Sequence, residues 1–169
     1  MRLFTALHFS NEISETLLQA IDRLKSQGVS ANFTRPENLH LTLAFIGETN
    51  NVKAAIDAVE QTDDPPFIMT VGGYGRFGNL YWAGIYANPA LERLALNMQE
   101  RLRRAGFNIE RRAWKPHITL ARRLETDVPV KLDIPKMEMF VREVSLMRSD
   151  RPQGKLKYTE VYRKELLHE

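Results

Sequence analysis

Two short stretches, "LHLTLAFIGE" at residues 39–48 and "KPHITLARR" at 115–123, each place a histidine and a threonine two positions apart in an apolar run. Along an extended chain successive side chains alternate sides, so His40 shares a face with Thr42, and His117 with Thr119. Near pH 7 a neutral imidazole accepts a proton and an imidazolium donates one. Two such groups on opposite sides of a phosphorus atom can act as base and acid for an in-line displacement that needs no metal. The hydroxyls of Thr42 and Thr119 can bond non-bridging oxygens as charge develops, and an arginine can hold the phosphate. Arg122, five residues after His117, is the better arginine candidate, and Arg123 is expected to point away.

One such tetrapeptide alone is best explained by packing. Two in equivalent places are not, because two buried polar pairs would carry a desolvation cost to no purpose. A histidine metal site has weak support, since the chain lacks H-x-H, H-E-x-x-H and any cysteine. A serine hydrolase has less, with no G-x-S-x-G. His8 reads as a strand-end residue and His168 as part of a C-terminal tail.

The elements that must position these pairs recur in register. "RLFTALHF" alternates like a strand, and the following "SNEISETLLQAIDRLKSQG" spaces Ile13, Leu17, Leu18, Ile21 and Leu24 along one helical face. Ser10 or Asn11 can cap its start and Gly28 its end. After a turn at Arg35-Pro36 comes the strand "HLTLAFI", with Leu41, Leu43 and Phe45 expected on one face and His40, Thr42 and Ala44 on the other. The second copy runs "LYWAGIY", then a helix "NPALERLALNMQERLRRAG" capped by Asn88 and ended by Gly106, then "HITLA". Leu3 to His40 is 37 residues and Tyr81 to His117 is 36. Further elements are expected at "NNVKAAIDAVEQ" (helix) and at "PFIMTVG", "KMEMFVREVSLMRS" and "KLKYTEVYRKELL" (strands). The expected fold is α+β: one domain over 1–169 with two lobes built on repeat units of about 2–48 and 80–123. Its sheets are mainly antiparallel, with helices outside and a central groove. The G-x-G-x-x-G spacing at Gly73, Gly75 and Gly78 opens no helix, so it is read as a turn and not as a dinucleotide site.

The 169 residues, 43% apolar and 27% charged, suit one globular domain. Without cysteine, disulfides and thiolate chemistry are excluded. No apolar run is long enough to span a membrane, and the chain is expected to be a soluble, cytoplasmic monomer made without a signal sequence. The net charge of +3 is modest, but eight basic residues between Arg101 and Arg123 face a single acid, Glu110, which favours an anionic partner.

On these two motifs the chain resembles the two-histidine (2H) phosphoesterase superfamily. Within it, "RLFTALHF", "RPENLHLTLAFIGE", "LYWAGI", "WKPHITLARR" and "YTEVYRKEL" look like the RNA 2',3'-cyclic phosphodiesterases, formerly called 2'-5' RNA ligases. The resemblance implies a bilobal pseudo-twofold fold, no cofactor, and hydrolysis of RNA 2',3'-cyclic phosphate ends to 2'-phosphates, with 2'-5' ligation as a side reaction. It further implies His40 as proton donor, His117 as proton acceptor, and Thr42, Thr119 and Arg122 as phosphate ligands. The expected partner is RNA, bound through the 101–123 cluster and stacked on Phe4 or Trp82. The alternatives are a small cyclic nucleotide as substrate, or an RNA-binding module without turnover.

Overall fold

Two antiparallel sheets carry both motifs in the computed structural model, which describes residues 1–166; His168 lies outside them. In chain order the elements are β1 (Arg2–Leu7), α1 (Asn11–Lys25), β2 (Ser30–Phe33), β3 (Leu41–Glu48), α2 (Val52–Glu60), β4 (Phe67–Phe77) and β5 (Leu80–Ile85). They continue with α3 (Pro89–Arg104), β6 (Ile118–Glu125), β7 (Met137–Val141), β8 (Glu143–Asp150) and β9 (Lys157–Glu165). Short 3₁₀ turns lie at Pro36–Asn38 and Pro152–Gly154.

One sheet has the order β3-β1-β8-β9 and the other β2-β6-β5-β4-β7. Read outward from the motif strands, β3 corresponds to β6, β1 to β5, β8 to β4 and β9 to β7, with β2 added at the outer edge of β6. This is the pseudo-twofold duplication expected from the repeat. The helices are exchanged, however: α1 follows β1 but packs on β6, and α3 follows β5 but packs on β3. Residues 2–48 therefore give strands to both sheets, residues 80–123 give strands to one and a helix to the other, and the main apolar core joins them.

Local chemistry explains the helices. Ser10 accepts the Ile13 amide and Asn88 the Leu91 amide, each cap worth about 1 kcal/mol. Pro89 takes the first turn of α3, where no amide is needed, and Gly106 (φ 98°) leaves it in a conformation that glycine adopts without strain. Leu91, Leu94, Met98 and Leu102 are wholly buried, each contributing about 1.5–3 kcal/mol.

Three expectations need correction. "KMEMFVREVSLMRS" is two strands, not one: the chain breaks at Arg142 and crosses from β7 in one sheet to β8 in the other. The stretch before Arg35 contains an edge strand, β2, whose short "SANF" has no strong alternation to reveal it. "GGYGRFGN" is largely strand, since β4 runs to Phe77 and only Gly78 and Asn79 turn the hairpin, with Gly78 at φ 59°. Gly75 is needed for space, because a Cβ there would lie 2.3 Å from the Trp82 ring.

Candidate active site

Each histidine immediately precedes the first residue of its strand. The His40 Nδ1 lies 2.7 Å from the Asn38 carbonyl and the His117 Nδ1 2.8 Å from the Lys115 carbonyl. A carbonyl only accepts, so in both rings Nδ1 carries the hydrogen and Nε2 is the nitrogen that exchanges a proton. Both rings also rest against an aromatic. Tyr158 meets His40 edge-on at 5.0 Å and Phe77 meets His117 edge-on at 5.0 Å, with Phe4 a further 5.1 Å neighbour of His40.

The two rings differ in what Nε2 touches. At His40 it accepts the Thr42 hydroxyl at 2.8 Å when the ring is neutral. Burial is the main cause that pushes the His40 pKa down to about 4, and the charges of His8, Arg122 and His117 add to it; the Asn38 bond opposes it. His40 is thus neutral at pH 7.

Matched β-bulges decide what else joins the histidines. Leu43 is the extra residue where β3 pairs with β1, and Leu120 where β6 pairs with β5. Leu43 and Ala44 therefore both turn to the core, as do Leu120 and Ala121. The next residue then returns to the histidine face. This corrects the alternation expected for β3: Phe45, not Ala44, joins His40 and Thr42, and it is 58% exposed. In β6 the same shift brings Arg122 to the side of Thr119; the orientation expected for Arg122 and Arg123 arises only through this bulge, since unbroken alternation would have brought Arg123 instead. Arg123 instead sits at φ 53° where β6 kinks against β2.

A groove of about 600 Å³ has His40, Thr119 and Arg122 in its wall, together with Asn38 and Tyr158. Thr42 reaches the site through its bond to His40, while His117 is not part of that wall. The lobes are tied together beside the histidines: the Trp114 indole N–H donates to the Thr42 carbonyl (3.2 Å) and the Thr34 hydroxyl to the Thr119 carbonyl (2.8 Å). Among the described residues, no three His, Asp or Glu side chains converge as a metal-holding group.

Asn38 had no signal in the sequence beyond its place two residues before His40. It is 4% exposed; its side-chain amide donates to the Leu156 carbonyl at 3.0 Å and accepts the Tyr158 amide at 3.2 Å. One residue thus orients the His40 ring through its carbonyl and pins β9 through its side chain. Asn38→Ala leaves a buried donor and acceptor without partners, and is expected to cost about 1–3 kcal/mol in urea unfolding. An unchanged midpoint would show that these bonds carry no stability.

Two expectations about RNA contacts are narrowed. Phe4 is 3% exposed and engaged by His40 and Tyr158, so it offers no face to a base; the exposed aromatics near the site are Phe45 and Phe77. Part of the 101–123 cluster is paired with carboxylates. Arg101 pairs with Asp63 and Asp64, Arg103 and Arg104 with Glu100, and Arg112 with Glu110. The acids that neutralise Arg101, Arg103 and Arg104 lie outside the 101–123 window, which is why that stretch alone misleads.

A family model for the 2'-5' RNA ligase superfamily matches residues 13–153. The chain is 32% identical to the RNA 2',3'-cyclic phosphodiesterase of Archaeoglobus fulgidus over 86% of this chain and 81% of that one. It is 29% identical to the Escherichia coli protein of the same name over 96% and 94%. The crystal structure of E. coli LigT complexed with 3'-AMP superimposes with a TM-score of 0.88 at 28% identity, covering 99% of this chain and 98% of that one.

Proposed function

Because the chain belongs to the 2'-5' RNA ligase superfamily, we propose that it hydrolyses the 2',3'-cyclic phosphate end of RNA to a 2'-phosphate by two-histidine acid-base catalysis. The observation that carries this reading is the shared ring geometry, in which both Nδ1 atoms are held on backbone carbonyls and Nε2 is left to exchange protons. His117 Nε2 takes a proton from water as its oxygen attacks phosphorus. The P–O3' bond breaks in line, and His40 Nε2–H protonates the departing 3' oxygen. Thr119, Arg122 and, once released from His40, Thr42 bond the non-bridging oxygens.

His40 must acquire its proton, since burial above all, with the Arg122 guanidinium adding to it, holds its pKa at about 4. The anionic cyclic phosphate supplies the missing negative charge and raises its pKa on binding. With the 5' hydroxyl of a second strand in place of water, the same groups would form a P–O5' bond as P–O3' breaks, leaving a 2'-5' phosphodiester and a free 3' hydroxyl as a secondary ligation. A monomer is sufficient, because each catalytic group comes from one chain.

The test is a short RNA with a 2',3'-cyclic end, incubated with the protein and EDTA. A 2'-phosphate product is expected; a 3'-phosphate, no product, or dependence on added metal would overturn the reading. Arg122→Ala should lower kcat/KM about 10- to 100-fold, the usual effect of losing a charge-assisted bond. Unchanged kcat/KM would remove Arg122 from the phosphate.

A further inference from the structure

The groove that holds His40, Thr119 and Arg122 does not end at one phosphate. Beyond them its walls carry Lys25, Arg35, Arg151 and Lys155, and no carboxylate. The four are exposed and, among the described residues, none forms an ion pair; those of Arg101, Arg103, Arg104 and Arg112 show how readily this chain neutralises cations it uses for structure. Lys25 ends α1 and Arg35 follows β2, whereas Arg151 and Lys155 flank the turn between β8 and β9. The cations therefore come from both sheets and face one cleft. Beside it Asn38 bonds Leu156 and Tyr158, and the turn is bent by Gln153 at φ 55° and Gly154 at φ 79°.

Four clustered cations repel one another and concentrate a positive field in the cleft, which suits a polyanion more than a single charge. The substrate's chemistry says where further charge would come from. A cyclic phosphate occupies both the 2' and the 3' oxygen of the terminal nucleotide, so the rest of the strand leaves through its 5' oxygen. Resting on the reading above, we infer that Lys25, Arg35, Arg151 and Lys155 form an arm that binds the backbone phosphates 5' of the terminal nucleotide, making an RNA strand, and not a free cyclic nucleotide, the preferred substrate.

The test compares three substrates with 2',3'-cyclic ends: a nucleoside, its 5'-triphosphate, and a tetranucleotide. The parent protein is expected to favour the tetranucleotide over the nucleoside by at least about tenfold in kcat/KM at low salt. Binding of a tetranucleotide ending in a 2'-phosphate should weaken steeply with salt. In the variant Arg35→Gln/Arg151→Gln/Lys155→Gln the preference should collapse, and the slope of log K against log salt should fall by about 2, at about 0.7 for each phosphate contact on a single strand. Arg151→Glu alone should reduce the preference in the same direction. Equal use of nucleoside and tetranucleotide by the parent, or a variant that keeps preference and slope, would overturn the arm while leaving the hydrolase reading standing. If the 5'-triphosphate reproduces the whole gain, the arm holds a short polyphosphate and the RNA assignment is wrong. Salt-dependent binding by the parent that the variant loses, with no turnover of any substrate, would support the arm and sink the hydrolase reading.

Discussion

Replacing His117 with alanine is expected to reduce turnover of a 2',3'-cyclic phosphate end at least about 100-fold, the loss that follows removal of a general base or acid, with circular dichroism unchanged. His117 is only half-buried, and its ring is held by one carbonyl bond and the edge of Phe77, so truncation leaves little unsatisfied. His40→Ala should cost a similar factor in turnover. That variant also removes the partner of the Thr42 hydroxyl and empties space between Phe4 and Tyr158, so activity is to be read per folded molecule. If the two imidazoles work in one displacement, the double variant should be scarcely slower than either single one, since groups acting as a unit are not additive. Near-parental turnover in either single variant would refute its role; fully multiplicative losses would show two independent effects.

Acid should destabilise the protein through His40 alone by about 3 kcal/mol between pH 6.5 and 4. The sign follows from the depressed pKa: a ring that titrates at about 4 when folded and at 6.5 when unfolded takes up its proton first in the unfolded chain. The stabilisation is complete above the unfolded value and is lost as pH falls towards the folded one. With about 1.36 kcal/mol for each pKa unit, the gap between 6.5 and about 4 sets the size. Urea unfolding of the parent and of His40→Gln at pH 7, 5.5 and 4 isolates this contribution from the carboxylates. Equal loss of stability in both proteins would place the titrating group elsewhere. Bound phosphate should oppose the effect, because it favours the protonated ring, and His40 should then titrate higher by NMR.

Pseudo-twofold architecture was legible because its signals are local. Caps at Ser10 and Asn88, the 3.6-residue spacing of Leu91, Leu94, Met98 and Leu102, and the proline at the first turn of α3 depend on near neighbours in the chain. The exchange of helices between sheets was not legible, since a helix of given periodicity packs equally well on either apolar surface; for α1 the following strand β2 pairs with β6, the strand on which α1 packs. Similarly, "MEMFV" and "EVSLMRS" have the same alternation whether they form one strand or two. Their separation at Arg142 comes from the two sheets competing for them.

His40, Thr42, His117 and Thr119 follow from sequence alone as two equivalent pairs, because residues two apart on an extended chain share a face whatever the rest of the fold does. The chemical types, the absence of cysteine and the duplicated order of elements belong to the same level. Tertiary structure decided everything that depends on register and on charge partners distant in sequence. Bulges at Leu43 and Leu120, set by pairing with β1 and β5, brought Phe45 and Arg122 to the histidine face. Asp63, Asp64 and Glu100 gave Arg101, Arg103 and Arg104 carboxylate partners, and the junction of the two sheets gathered Lys25, Arg35, Arg151 and Lys155 into one cleft. Electrostatic partners are chosen by distance in space, and no spacing along the chain encodes that.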